Sequence, residues 1–230
     1  MLIGPQNLTL HVNHVRSRIR SAAIAAGRDP AAVTLVAVTK AQTAESVRLA
    51  ATAGVTDFGE NYLQEATAKM LQLADLPLTW HFIGAIQSNK TRAIAERFAW
   101  VHGVDRLNVA RRLAEQRPFH APPLNICIQV ALEPEPTKGG VSPELLPELA
   151  AAVAMLPRIT LRGLMCLPPP QLDAGAERAV FARLRLALQD LNARGLKLDT
   201  LSMGMSGDFE SAIAEGATLV RIGTALFGSR

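Results

Sequence analysis

Strand-like and helix-like segments alternate along the whole chain, and this alternation constrains the fold more than any other feature. Short apolar runs are predicted as strands at residues 33–40, 56–59, 78–83, 99–103, 124–131, 159–165, 198–202 and 218–222. Helices are predicted between and after them, at residues 44–53, 61–73, 88–97, 106–116, 143–155, 174–193 and 207–215. Such alternation indicates a parallel sheet covered by helices. An open doubly wound sheet would also satisfy it, but the number of repeats favours a closed (β/α)₈ barrel.

A further helix is predicted in front of the first strand. Its apolar positions recur at helical spacing before Gly27 and Pro30 end it, and they are Leu8, Val12, Val15, Ile19 and Ala22. The chain has 230 residues, close to the roughly 250 of a typical (β/α)₈ barrel. The Pro-rich loops at residues 133–140 and 167–171 directly follow strands, so we expect them on the catalytic face. We therefore expect one α/β domain spanning residues 1–230, a TIM barrel with an extra N-terminal helix.

Composition and charge exclude several classes of protein. The net charge of +4 is small and the basic residues are spread along the chain, which argues against a nucleic-acid-binding surface. No apolar run approaches the ~18 residues of a membrane span, and the N-terminus lacks the pattern of a signal peptide. Cys127 and Cys166 lie in apolar runs and are interpreted as core thiols of a reducing compartment. We expect a cytoplasmic protein that binds neither nucleic acid nor a membrane.

Lys40 ends the first predicted strand, and the residues before it, 33–39, are apolar or threonine. In a barrel this position lies at the C-terminal mouth, where active sites are built. A partly desolvated lysine there can present a neutral amine for imine formation. Spacing alone favours the alternative, a lysine whose stem covers apolar surface while its ammonium group reaches water.

Two segments near the C-terminus have the pattern of a phosphate site. Residues 202–213 place a serine at a helix N-cap position with a glycine after it, and residues 219–228 place glycine and threonine directly after the last strand. The loops after the seventh and eighth strands of a barrel often bind phosphate. The alternative for the first segment is an ordinary serine cap, with Asp208 and Glu210 complementing the helix dipole. The candidate phosphate-binding residues are Ser206, Gly207, Gly223 and Thr224.

Arg221 lies inside the last predicted strand, between Val220 and Ile222. A permanent charge in such a strand is rare unless it is paired. The side chain can point into the mouth of the barrel, towards a bound cofactor, or outwards to a carboxylate on a helix. The pattern alone leaves both orientations open.

Two motifs in the first half of the chain are interpreted mainly as helix caps and core. In FGENYLQE, Asn61 is predicted to cap a helix, with Gln64 at the capping-box position. In HFIGAIQSNK, Ser88 is predicted as a cap and His81 as a core histidine with satisfied hydrogen bonds. Metal-ligand clusters, a Walker loop and a nucleophile elbow are absent from the sequence.

Together these motifs closely resemble the pyridoxal phosphate homeostasis protein family, the YggS/PROSC group. The matching pieces run in the family order from about residue 33 to 228: LVAVTK, FGENYLQE, WHFIGAIQSNK, VHGVD, SMGMSGDFESAI and VRIGTALFG. The resemblance implies a barrel similar to the N-terminal domain of alanine racemase, with pyridoxal 5′-phosphate (PLP) as cofactor. It implies a Schiff base between PLP and Lys40, with Arg221 facing the pyridine nitrogen. It also implies a phosphate held by Ser206, Gly207, Gly223 and Thr224, and a site lined by Asn61, Met165 and Met203.

Some positions depart from the family pattern. VTKAQT replaces a common serine-lysine-threonine-lysine-proline run, Ala85 stands where proline or histidine is usual, and Gly103 replaces a serine. Thr39 keeps the hydroxyl before Lys40. The departures therefore concern the surrounding loops and not the cofactor lysine.

The resemblance implies storage and supply of PLP, with effects on amino and keto acid pools and no firmly established turnover. A PLP racemase needs acid–base groups on both faces of the substrate carbon, and in alanine racemases a tyrosine of a following β-domain provides one. Here the chain ends two residues after Gly228, and its only tyrosine, Tyr62, lies on a predicted helix. An arginine facing the pyridine nitrogen also weakens the electron sink of such catalysis. We therefore expect a non-enzymatic, monomeric PLP-binding protein that contacts PLP-dependent apoenzymes transiently.

Two other functions stay open at the level of the sequence. One is a PLP-dependent racemase or decarboxylase of the alanine racemase type, which uses a water or His81 as the missing base. The other is a Schiff-base aldolase without cofactor, in which Lys40 attacks a sugar phosphate. The absorption spectrum of the purified protein, before and after borohydride, distinguishes these functions.

Overall fold

Within residues 5–133, 139–169 and 173–228, which the computed structural model describes, eight parallel strands close into one barrel. Each strand pairs with the next along the chain, and the last pairs with the first. The strands are β1 (Thr34–Val38), β2 (Asp57–Glu60), β3 (Thr79–Phe82), β4 (Trp100–Val104), β5 (Leu124–Gln129), β6 (Ile159–Met165), β7 (Thr200–Ser202) and β8 (Leu219–Ile222). The predicted (β/α)₈ TIM barrel is therefore confirmed.

Helices follow the strands on the outside of the barrel, and one helix precedes them. They are α1 (Pro5–Ala25), α2 (Ala44–Thr52), α3 (Leu63–Gln72), α4 (Thr91–Arg97), α5 (Leu107–Gln116), α6 (Leu146–Ala154), α7 (Ala174–Ala193), α8 (Phe209–Ala214) and α9 (Thr224–Phe227), with 3₁₀ turns at Pro30–Ala32 and Ser88–Lys90. The short α9 is an addition that the sequence pattern does not predict. The loops at 133–140 and 167–171 lie partly outside the described residues. In the described ranges, no helix has both the length and the apolar character needed to cross a membrane.

The N-terminal helix α1 lies in the helical layer outside the barrel. Its inward stripe is fully or almost fully buried at Leu8, Val12, Val15 and Ile19, as predicted, whereas the predicted Ala22 is only partly buried. This helix packs against α2, α8 and α9. Arg28, just after it, donates hydrogen bonds to the carbonyl groups of Ile213 and Ala217. Burial of each large apolar side chain contributes roughly 1.5–3 kcal/mol, so this stripe fixes α1 firmly against its helical neighbours.

The interior of the barrel is partly polar. The buried polar and charged side chains that point into it include His81, His102, Ser202 and Arg221. Burying such groups is destabilising unless they are hydrogen-bonded. Apolar side chains would fill the same space without that requirement, so the polar interior indicates a functional constraint on these strands.

Candidate functional site

A cavity of about 460 Å³ opens at the C-terminal mouth of the barrel. This volume lies within the ~300–1,000 Å³ of typical small-molecule sites. The wall is lined by Val38, Lys40, Asn61, Ile83, Leu167, Pro168, Met205, Ser206, Gly207, Arg221, Gly223 and Thr224. Most of these residues directly follow strands, as expected for the functional end of a barrel. The structure therefore brings together the predicted site residues Lys40, Asn61, Ser206, Gly207, Arg221, Gly223 and Thr224.

The two remaining predicted site residues, Met165 and Met203, lie outside the cavity wall and are fully buried. Met203 belongs to the apolar core, because the preceding Ser202 points into the barrel and side chains alternate along a strand. Met165 ends β6 at the level of Ser202 in the sheet, below the mouth. The methionine that lines the cavity is Met205, in the loop after β7. Neither methionine is part of the cavity wall in this structure, and their contact with a bound ligand stays a prediction.

Lys40 lies two residues beyond the end of β1, and the backbone on both sides of it is held by side chains. Lys69 Nζ donates to the carbonyl oxygen of Thr39 at 2.5 Å. On the other side, Ala41 N–H donates to Glu65 Oε1 at 2.6 Å. Ala41 has a φ of 59°, a left-handed conformation that costs an L-residue energy unless contacts maintain it. The turn therefore presents Lys40 to the cavity from a fixed base.

A buried cluster of charges maintains this turn. Lys69 is 4% exposed, and its ammonium group donates to Glu60 Oε1 at 2.7 Å and to Glu65 Oε1 at 2.6 Å. Thr39 Oγ1 donates to Glu60 Oε1 at 2.5 Å. Burial raises the pKa of the Glu60 carboxyl, although the hydrogen bonds from Lys69 and Thr39 act in the opposite direction. The cluster links α3 to the residues on either side of Lys40.

Asn61 lines the cavity but does not cap α3. The N-cap position is held by Tyr62, which makes no side-chain cap hydrogen bond to the described residues, so the predicted cap is wrong. Gly84 allows the backbone of Asn61 to approach, because a Cβ atom there would lie 2.2 Å from the Asn61 carbonyl oxygen. Asn61 Oδ1 is buried and has no hydrogen-bond partner within the described residues. A buried acceptor without a partner, in the wall of a cavity, indicates the position of a ligand donor.

Ser206 connects the loops after β7 and β8. Its Oγ accepts hydrogen bonds from the N–H groups of Gly223 and Ala225, both at 3.2 Å. It therefore does not cap α8, which begins at Phe209 with Asp208 at its N-cap position. The predicted N-cap role of Ser206 is wrong, but the predicted meeting of the two segments is confirmed in the geometry of these bonds.

The same two loops offer N–H groups to the cavity. In the part of the chain that the structure describes, the N–H groups of Ser206, Gly207 and Thr224 donate to no protein acceptor. A Cβ atom on Gly207 would meet no other atom within 4 Å, so the backbone there borders open space. The turn is formed by Gly204, whose φ of 93° favours glycine and where a Cβ atom would lie 2.7 Å from Ala212 Cβ. Several backbone donors around one space form an anion-binding arrangement.

Arg221 points into the barrel and not towards a helix. Its side chain is almost fully buried, and it donates to Ser202 Oγ at 2.7 Å and to the Cys166 carbonyl oxygen at 2.9 Å. Burial lowers the pKa of this guanidinium group. Burial also raises the pKa of the Cys166 and Cys127 thiols to about 12, so both stay neutral. Of the two predicted orientations, the structure has the one towards the mouth.

His81 is a core histidine with satisfied hydrogen bonds, as predicted. Its Nε2 contacts Asp57 Oδ1 at 3.0 Å and its Nδ1 contacts His102 Nε2 at 2.9 Å. It lies outside the cavity wall. Ser88 makes no side-chain cap hydrogen bond to the described residues; its carbonyl oxygen accepts one from Thr91 Oγ1 instead, so that cap prediction is wrong.

Sequence reasoning missed the cluster around Lys69. Its signal is a lysine in the buried stripe of a helix, where Ala66, Lys69 and Leu73 share one face. Glu65 lies four residues before Lys69, a spacing that places the two side chains together. Glu60 supplies the second carboxylate and lies with Glu65 in the motif FGENYLQE. An otherwise apolar stripe interrupted by a lysine, next to two glutamates, could have indicated a buried ion pair.

Comparisons with known proteins agree on one family. A family model described as "Alanine racemase, N-terminal domain" matches residues 10–230. A relative from Pseudomonas aeruginosa named pyridoxal phosphate homeostasis protein is 62% identical over 220 residues, covering 96% of this chain and 94% of the relative. A relative from Escherichia coli with the same name is 48% identical over 219 residues, covering 94% of each.

Solved structures agree with this result. PipY of Synechococcus elongatus, in a structure with PLP bound, has a TM-score of 0.87 and 39% identity, covering 96% of this chain and 100% of that chain. Alanine racemase from Corynebacterium glutamicum has a TM-score of 0.66 at 19% identity, covering 93% of this chain and 60% of that chain, which shows a shared fold alone. With its barrel, its sequence relatives and its mouth cavity in agreement, the chain belongs to the pyridoxal phosphate homeostasis protein family.

Proposed function

We propose that this protein binds PLP in the mouth cavity and holds it as a Schiff base on Lys40. The observation that carries the proposal is the convergence of an amine, a set of backbone N–H donors and a buried guanidinium on one cavity. PLP has an aldehyde, a phosphate and a ring nitrogen, so each part finds a complementary group. The PLP bound by PipY and the name of the relatives support the proposal. When bound, PLP supplies an aldehyde that condenses reversibly with amines.

The phosphate is assigned to the loops after β7 and β8. Ser206, Gly207 and Thr224 supply the N–H groups described above, and Gly223 is tied to them through Ser206 Oγ. Arg221 is assigned to the ring nitrogen, because it is held in place by two hydrogen bonds and borders the cavity. Asn61 supplies an acceptor without a protein partner within the described residues. All of these groups bind and orient a ligand.

A role in holding and supplying PLP fits this site better than catalysis. Among the described residues of the cavity wall, Lys40 and Arg221 are the ones with ionisable side chains, whereas a racemase needs acid–base groups on both faces of the substrate. His81 is buried away from the wall. Tyr62 is 63% exposed and lines a neighbouring surface pocket, which shares Asn61 with the mouth cavity, and not the cavity itself. Within the described residues, the cavity wall therefore offers one amine and no partner base.

On this basis the protein stores PLP, transfers it to PLP-dependent apoenzymes through transient contacts, and thereby influences amino and keto acid pools. We propose that it acts as a monomer, because every group assigned to PLP comes from a single copy. Two buried cysteines that form no disulfide are compatible with action in a reducing cytoplasm.

The central experiment is reconstitution with PLP followed by borohydride reduction. The unmodified protein should give a visible absorption band that reduction removes, and peptide mass mapping should locate the adduct on Lys40. Lys40→Ala should lack both the band and the adduct, while Lys197→Ala, at an exposed lysine, should keep both. A Lys40→Ala protein with the same visible band would contradict the proposed linkage.

A second measurement separates a carrier from an enzyme. The purified protein with PLP is incubated with α-deuterated amino acids, and loss of deuterium is followed by mass spectrometry. We expect no loss above that with free PLP. Loss that depends on Lys40 would instead identify a racemase-type or decarboxylase-type catalyst.

A further inference from the structure

A continuous chain of hydrogen bonds crosses the interior of the barrel from Arg221 to Asp57. Arg221 contacts Ser202 Oγ at 2.7 Å, and Ser202 Oγ contacts His102 Nδ1 at 2.7 Å. His102 Nε2 contacts His81 Nδ1 at 2.9 Å, and His81 Nε2 contacts Asp57 Oδ1 at 3.0 Å. The chain joins β8, β7, β4, β3 and β2. Arg221 lines the mouth cavity, whereas Asp57 begins β2 at the opposite end of the barrel.

Chemistry allows only one direction for these bonds when both imidazoles are neutral. Arg221 can only donate, so Ser202 accepts from it and its own hydrogen is available for His102 Nδ1. His102 then carries its proton on Nε2 and donates to His81 Nδ1. His81 likewise carries its proton on Nε2 and donates to Asp57, a carboxylate that only accepts. The Asp57 end fixes this direction and the tautomer of each histidine, and the Arg221 end is compatible with it, since a hydroxyl can accept from one neighbour and donate to the other.

The groups along the chain are in the protonation states that this direction requires. Burial lowers the pKa of His81 and, together with the nearby His81 and Arg221, lowers that of His102 well below its ordinary value. Burial alone would raise the pKa of Asp57, but hydrogen bonds from His81 and Thr56 outweigh it and hold the pKa low. The chain thus runs from a cation through three neutral groups to an anion.

This chain of hydrogen bonds stabilises the buried charge of Arg221. Within the described residues no carboxylate lies within ion-pair distance of its guanidinium group, although the side chain is only 4% exposed. A buried charge is costly unless it is paired or well hydrogen-bonded. In each hydrogen bond of the chain, the lone pair of the acceptor faces the Arg221 side. Hydrogen bonds aligned in this way polarise one another. The buried guanidinium group is thus stabilised by aligned hydrogen bonds that end on the Asp57 carboxylate.

We propose that His102 is a positioning residue for Arg221, acting through Ser202 within this one-directional chain. His102 fixes the direction of the Ser202 hydroxyl, and Ser202 in turn fixes the guanidinium group at the wall of the cavity. The three neutral residues of the chain, His102, His81 and Ser202, come from the motifs VHGVD, WHFIGAIQSNK and SMGMSGDFESAI, respectively. Its effect on PLP depends on the proposed function, whereas the chain itself is a property of the protein without ligand.

The chain is tested by nuclear magnetic resonance on the full-length protein without PLP. Long-range ¹⁵N–¹H spectra distinguish the two neutral tautomers of histidine from the cation. We expect His81 and His102 as neutral Nε2–H tautomers at pH 7, assigned with His81→Gln and His102→Gln. A cationic or Nδ1–H His102 would overturn the proposal, whether or not the protein binds PLP.

The positioning role is tested with His102→Leu and the conservative His102→Gln. The glutamine amide can accept from Ser202 and donate to His81, whereas leucine can do neither. We expect His102→Leu to weaken PLP binding about tenfold and to shift the visible band of bound PLP, and His102→Gln to restore both. Equal binding and spectra for the leucine variant and the parent would overturn the proposal.

Ser202→Ala provides a second break in the same chain if His102→Leu does not fold. It should give the same spectral shift and loss of PLP affinity, since it removes the acceptor of Arg221. An unchanged band would contradict positioning through Ser202. If the parent protein itself fails to bind PLP, the proposed function is wrong, and the tautomers still decide whether the chain exists.

Discussion

The two sides of the mouth cavity hold a buried cation in different ways. On the β1–β2 side, Lys69 lies against the carboxylates of Glu60 and Glu65, within hydrogen-bond distance of both. On the β7–β8 side, Arg221 is held by neutral groups, the Ser202 hydroxyl and the Cys166 carbonyl. The first cation braces the turn that presents Lys40, and the second lines the cavity itself.

The difference follows from what each side offers to a ligand. Lys69 engages the two nearby glutamates, and together they hold the backbone around Lys40. The charge of Arg221 is permanent, so its orientation is what matters at the cavity. The ion-pair side should therefore govern stability, and the neutral side should govern the environment of the cofactor.

The largest expected effect is on the ion-pair side. Lys69→Met leaves the buried Glu60 carboxylate with only Thr39 and releases the Thr39 carbonyl oxygen. Breaking a buried pair in this way should lower the free energy of unfolding by about 3 kcal/mol. Urea denaturation measures the loss, with Lys197→Met at an exposed position as the control, which should change stability by less than ~0.5 kcal/mol. A Lys69→Met protein as stable as this control would show that the pair does not brace the turn.

The next effect is on the neutral side and should appear in binding. Arg221→Lys keeps the charge, but a single ammonium group cannot reproduce the planar two-point contact with Ser202 and Cys166. PLP affinity should fall about tenfold, while stability falls less than for Lys69→Met because the partners are neutral. PLP titration by fluorescence measures this, with the exposed Arg194→Lys as control. If Arg221→Lys bound PLP as tightly as the parent protein does, the proposal that Arg221 faces the pyridine ring would be wrong.

A smaller effect should separate the phosphate loops from both cations. Ser206→Ala removes the acceptor of the Gly223 and Ala225 N–H groups, a loss of about 1 kcal/mol, or roughly fivefold in affinity. Because these loops are assigned to the phosphate, the variant should bind PLP more weakly but pyridoxal, which lacks the phosphate, as the parent does. Equal losses for the two ligands would place the phosphate elsewhere.

The sequence was sufficient for the barrel because its strands are nearly continuous apolar runs, whose order and spacing leave few topologies. It also placed Lys40, Ser206 and Arg221 at the mouth, since residues that follow parallel strands meet at one end. The sequence pattern gave no basis for choosing between the two orientations of Arg221. That choice depends on Ser202 and Cys166, which lie 19 and 55 residues away along the chain.

The cap predictions failed, and the two predicted methionines lie outside the cavity wall, for a related reason. Local patterns assign Asn61 and Ser206 to the helices that follow them, yet tertiary contacts use the first as cavity wall and the second as a bridge to Gly223. Met203 and Met205 differ by two residues, and only the end of β7 decides which of them leaves the sheet. Such details depend on register and on partners distant in sequence, which propensity does not encode.

The smallest effect is a contrast in pH dependence between the two sides. Burial raises the pKa of Glu60 above its ordinary 4.5, so its contribution to stability is present below that value and is lost as the pH rises through the folded pKa. Asp57, at the end of the Arg221 chain, has a pKa below its ordinary 3.8, since hydrogen bonds from His81 and Thr56 outweigh burial. Its contribution is present above that value and is lost as the pH falls through the folded pKa.

Unfolding free energies measured between pH 3 and 7 should therefore separate the two sides, because the two carboxyl groups make stability change with pH in opposite directions. Glu60→Gln should abolish a loss of stability above about pH 4.5 that the parent shows, whatever its overall stability. Asp57→Asn should abolish the loss of stability that the parent shows below about pH 4. Near neutral pH, the slope of unfolding free energy against pH should stay the same. Slopes are compared and not absolute values, because both substitutions also remove hydrogen bonds. If both substitutions removed the pH dependence of stability in the same pH range, the two carboxylates would belong to one coupled network. The distinction between an ion-pair side and a neutral side would then not hold.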